Sequence, residues 1–152
     1  MVGQYTAGPL NPAPEFPGVS FKIFCNPYSA EFQDTNNISL VTILRCKNTK
    51  FVIPGDVEGK GWKALLKQPA FVSEIADSNV FIASHYGRES GYLCDVLTLA
   101  KPQVVVFSDS AISCATQAMS STYGNHCSGT TLNGAPRKCL STRSDGSLVW
   151  NL

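Results

Sequence analysis

The chain opens its patterned part at residues 19–25, where Val19, Phe21 and Ile23 alternate with Ser20 and Lys22 until Asn26 and Pro27 end the run. An apolar residue at every second position is the period of a strand with one buried face. Residues 38–45 and 50–53 are rich in Ile, Val, Leu and Phe, with Lys47 and Asn48 between them. This spacing predicts two strands joined as a hairpin. From 59 to 76 the period changes: Trp62, Leu65, Leu66, Phe71, Val72 and Ile75 recur at helical spacing, and Pro69 interrupts them, which predicts two short helices.

Residues 79–83 read as a short buried strand, and 91–99 as a helix stopped by Pro102. Residues 103–108 form the most apolar strand, and 113–121 a further helix. The end of the chain, 137–141 and 147–150 around Ser144, Asp145 and Gly146, reads as a closing hairpin. Residues 1–18 carry Pro9, Pro12, Pro14 and Pro17 and read as an extended arm. The expected fold is therefore α/β, in the α+β sense: a mixed β-sheet with helices mainly on one face, built from residues 19–152.

At 152 residues the chain is long enough for one core. Charged residues make up only 15% of it against 43% apolar, below the roughly 25% charged of an average globular chain. A lightly charged surface, together with a sheet covered on one face, points to apolar area covered by a partner. The net charge is +1 with no run of like charges, so nucleic-acid binding is not indicated by charge. The first twenty residues lack the charged start and apolar stretch of a secretion signal, and no run is long enough to span a membrane. A cytoplasmic protein is expected. The six cysteines form no Cys-x-x-Cys pair and read as reduced, buried thiols.

Four short motifs occur in order. Asn36 and Asn37 precede Ser39, Leu40 and Val41; Gly55 and Asp56 follow an apolar strand; His85 and Gly87 follow the next; Tyr123, Gly124 and His126 come later. In this order they resemble the C-terminal half of a metallo-β-lactamase-fold hydrolase, closest to the DNA-uptake (competence) channel group. There one strand delivers Asn-Asn-x-Ser-Leu-Val, a second ends in Thr-Gly-Asp, a third ends in His-His-Gly-Ser, and a Tyr-Gly-His-Pro loop follows.

The resemblance implies half of an αββα sandwich. Asp56 would be the carboxylate that bridges two metal ions and His85 a terminal imidazole ligand, a pair suited to zinc or manganese. Tyr123 and His126 would belong to a substrate loop. Several positions depart from the family. Tyr86 stands where a second His is common, Arg88 stands near the place of the Ser, Asn125 separates Gly124 from His126, and Cys127 replaces the Pro.

The family's His-x-His-x-Asp-His cluster is absent, and the chain has two histidines in all. Asp56 and His85 alone fall short of the three protein ligands of a catalytic zinc, so zinc or manganese would require a partner to supply the others. No catalytic residue is assignable. The expected function is a non-catalytic or degenerate half-domain that assembles with itself, as a homodimer, or with a complementary N-terminal half-domain. The alternative is the C-terminal part of a split metal-dependent hydrolase, of phosphodiesterase or nuclease type. A thiol enzyme using Cys127 beside His126 ranks below both, because adjacent side chains point in different directions.

Overall fold

The computed structural model describes residues 16–109 and 119–152. The expected arm therefore falls almost wholly outside the described residues, as does most of the helix expected over 113–121. The described chain forms a six-stranded mixed sheet. Strand β1 (Val19–Phe24) pairs antiparallel with β2 (Val41–Cys46), which pairs antiparallel with β3 (Thr49–Ile53). Lys47, at φ 50°, turns the β2–β3 hairpin. Beyond β3 the sheet is parallel: β4 (Val80–Ile82), β5 (Val104–Phe107) and β8 (Cys139–Ser141) follow in that spatial order. Between β5 and β8 the chain also forms a small separate hairpin of β6 (Thr130–Leu132) and β7 (Ala135–Arg137).

Helices α1 (Gly59–Leu65) and α2 (Pro69–Ile75) connect β3 to β4. Pro69 begins the second helix rather than breaking one, since the first helical position has no N–H to satisfy. Helix α3 (Cys94–Ala100) connects β4 to β5. Helix α4 (Ser120–Gly124) precedes the small hairpin. Strand register fixes which side chains share a face. On one face Val41, Ile43, Val52, Phe81 and Val105 meet Trp62, Leu65, Phe71, Ile75, Val96 and Leu97 of the helices in a single buried cluster. The Trp62 ring lies 6.1 Å from Phe71 and 6.2 Å from Phe81, and its indole N–H donates to Gly91 O. The fold class is thus as expected, mixed α/β with the helices of the main core on one face.

The second face corrects the expected ending. Residues 147–150 make no strand. Thr142–Asp145 instead forms a short helix, α5, with Asp145 paired to Arg137 and Gly146 at φ 71° closing it. Strand β8 takes its partner from β5. The following segment lies across the sheet, where Leu148 and Trp150, with Leu132, pack on Val80, Val104, Val106 and Leu140. The Trp150 ring stands edge-on to Phe51 at 5.8 Å. A lone two-stranded ending is marginal in water, whereas laying Trp150 on an apolar sheet removes far more area from solvent.

The cysteine expectation needs correcting as well. Among the described residues the five cysteines are free, but only Cys127 is buried, and Cys25 and Cys94 are exposed. Cys114 lies outside the described residues. No helix among the described residues is long and apolar enough to cross a membrane.

Candidate functional site at the strand rim

In a parallel sheet the loops after the strands gather at one rim, where α/β proteins build their sites. Here β3 and β4 run parallel side by side, so the loops carrying Asp56 and His85 leave the same rim. Three contacts staple them: the His85 backbone N–H donates to Gly55 O at 3.1 Å, and the Ser84 hydroxyl is shared between Val57 O and Gly55 O. Gly55 turns at φ 62°, a conformation that costs glycine little. The Asp56 backbone N–H reaches Ser39 Oγ at 3.4 Å.

After β4 the chain makes an unusual turn. His85, Tyr86 and Gly87 have φ of 49°, 58° and 80°, three consecutive left-handed residues of which two carry bulky side chains. Such residues cost on the order of 1–3 kcal/mol each and persist where the surroundings hold them. Here the Arg88 N–H closes the turn onto His85 O, and Gly87 packs under the Phe107 ring.

The imidazole of His85 is half-buried and engaged at both nitrogens. Nδ1 lies 3.0 Å from Glu58 Oε1, and Nε2 lies 3.1 Å from Arg88 Nη1. A guanidinium can only donate, so Nε2 accepts and Nδ1 carries the proton that it donates to Glu58. Glu58 also accepts from Ser90 Oγ at 2.9 Å and from Asn36 Nδ2 at 3.4 Å. The carboxylate partner of His85 is therefore Glu58, two residues beyond Asp56 and just before α1. Glu58 and Ser90 escaped the sequence reading, and Arg88 entered it only as a departure from the family, because each belongs to a loop or helix start whose partners are set by the register of β3 against β4.

Tyr123 and His126, the residues the resemblance puts in a substrate loop, pack on Tyr92, and Tyr123 also on Phe107, the ring that covers Gly87. Tyr123 is fully buried, its ring 5.4 Å from Phe107 and 5.2 Å from Tyr92, and burial pushes its hydroxyl pKa up. Its hydroxyl has no hydrogen-bond partner among the described residues. His126 Nε2 lies 2.9 Å from Tyr92 Oη. Because the Tyr123 hydroxyl is buried and unpaired, Tyr123→Phe is expected to leave stability unchanged or raise it by up to about 1 kcal/mol, measured by urea unfolding.

A catalytic metal does not fit these residues. Among the described residues there is no group of three or more His, Cys, Asp or Glu placed to hold a metal ion, and the nitrogen of His85 left free by Glu58 already faces Arg88. The thiol alternative fares no better. Burial pushes Cys127 up to about 11, its sulfur donates to Tyr123 O, and His126 is turned to Tyr92. Iodoacetamide at pH 7.5 is expected to modify exposed Cys25 and Cys94 and leave Cys127 unmodified, as read by mass spectrometry of peptides. The chain matches no family model and no curated protein.

Proposed function

We propose that this chain is a non-catalytic half-domain of metallo-β-lactamase type that assembles with a second copy of itself through the second face of its sheet. The observation that carries the reading is the state of that face. Leu148 and Trp150 cover only the β3–β8 side, and toward β1 Phe21 is 55%, Ile23 51% and Ile53 39% exposed. Leu40, 58% exposed, flanks them. Every residue that the register places on this side, from Val19, Phe21 and Ile23 across to Leu140, is uncharged. The helical side of the same strands carries Lys22 and Arg45, both paired with Glu74.

A neutral apolar face offers nothing to an acidic or basic partner, and it is complementary to itself under two-fold symmetry. Two sheets packed in this way give four layers, α-β-β-α, with sheets about 10 Å apart. Catalysis has no part in this reading, because among the described residues the rim brings together no metal ligand set. Light scattering should give twice the 16.3 kDa chain mass, and zinc- or manganese-supplemented phosphodiester and lactam assays should show no turnover. A monomer, or turnover abolished by Asp56→Ala, would refute it.

The C-terminal part of a split hydrolase is the second reading. It is favoured by the stapling of the Asp56 and His85 loops at one rim. It requires a complementary chain to displace the contacts His85 now makes.

A further inference from the structure

We infer that Arg88 is a built-in cation that occupies the metal-facing nitrogen of His85 and keeps divalent metals out of the rim. The proposal concerns the rim alone and holds whether or not the sheet face pairs. Metal-binding histidines typically donate one ring N–H to a carboxylate, which fixes the tautomer and aims the other nitrogen's lone pair at the metal. His85 has the first half of that arrangement. Its Nδ1 meets Glu58 at 3.0 Å, and Glu58 is itself held by Ser90 and Asn36. The lone pair on Nε2 is thereby fixed in direction, and what meets it is Arg88 Nη1 at 3.1 Å.

Local backbone geometry puts the guanidinium there. The three left-handed residues 85–87 and the Arg88 N–H to His85 O bond fold the chain back, so that a side chain three residues on returns to the ring. Gly87 cannot shift easily, since a Cβ there would lie 2.3 Å from the Phe107 ring. Arg88 Nε is buried and has no hydrogen-bond partner among the described residues. Among the described residues the guanidinium is thus placed by the turn and by His85, with no carboxylate paired to it. A divalent ion approaching Nε2 meets both a filled lone pair and a permanent positive charge, which arginine does not lose at any working pH.

Cobalt(II) titration of the purified full chain, followed by its visible absorption, tests this directly. The unaltered protein should show no saturable binding through His85. Arg88→Ala and Arg88→Gln, checked for folding by circular dichroism, should bind cobalt at least tenfold more tightly. That gain should vanish in the double variant with His85→Ala, which leaves His126 intact. A long-range proton–nitrogen spectrum should also show the Nε2 resonance of His85 move in the Arg88 variants. If the unaltered protein already binds cobalt through His85 as tightly as the variants, or if neither folded variant gains affinity, Arg88 does not close the site.

Discussion

Replacing Phe21 and Ile23 together by Asp is expected to turn a dimer into a monomer, raising the dissociation constant at least about a hundredfold while leaving the fold intact. Both side chains project from β1 onto the uncharged side of the sheet and are half exposed in the single chain. Their loss therefore removes little from the monomer's own core. In a two-fold interface each substitution appears twice, so four carboxylates would enter a face that has no cation to receive them. Apolar anchors at an interface centre are typically worth about 2 kcal/mol each, and each 1.4 kcal/mol is a factor of about ten in affinity. Sedimentation velocity reads the assembly and urea unfolding reads the fold. An unchanged dimer would place the interface elsewhere.

The largest effect on stability is expected at Gly87. Its φ of 80° lies in the left-handed region, where an L side chain costs about 1–2 kcal/mol, and an added Cβ would stand 2.3 and 2.4 Å from Phe107 Cδ1 and Cε1. Phe107 cannot yield freely. Its ring is packed edge-on to Tyr123 and is buried at the end of β5. Strain and overpacking together put Gly87→Ala at about 3 kcal/mol or more of destabilisation. The loss should show in urea midpoints, with Gly134→Ala as control: that glycine has φ 78° but open space around it, so only the backbone cost remains. Equal losses at both positions would mean that the contact with Phe107 is not what holds the turn.

Much of the sheet was legible because its central strands are written in β-branched residues. Residues 50–53, 79–83 and 103–108 hold Val52, Val80, Val104, Val105 and Val106, and all become buried strand positions. The division of the helical region at Pro69 was legible for an equally local reason. The ending was not. The turn-forming trio Ser144, Asp145 and Gly146 suits a hairpin and a helix stop alike. The choice between them is made by Trp150 finding Phe51, a contact about a hundred residues away in sequence that no local pattern encodes.

The rim was legible only as far as Asp56 and His85 sharing an edge, which follows from two parallel strands ending together. That Glu58 rather than Asp56 holds the imidazole depends on where the chain enters α1. That Arg88 reaches Nε2 depends on three left-handed residues in a row, of which only Gly87 advertises itself in sequence.

Protection of the side chains on the uncharged sheet face is the most direct test of assembly through that face. Methyl spectra recorded with a soluble paramagnetic probe, over a dilution series, would follow Ile23, Ile53 and Leu40, with exposed Ala70 on the helical side as reference. Pairing of the sheets predicts that Ile23, Ile53 and Leu40 are shielded at high concentration and become as bleached as Ala70 on dilution. Equal bleaching of all four at every concentration would contradict it.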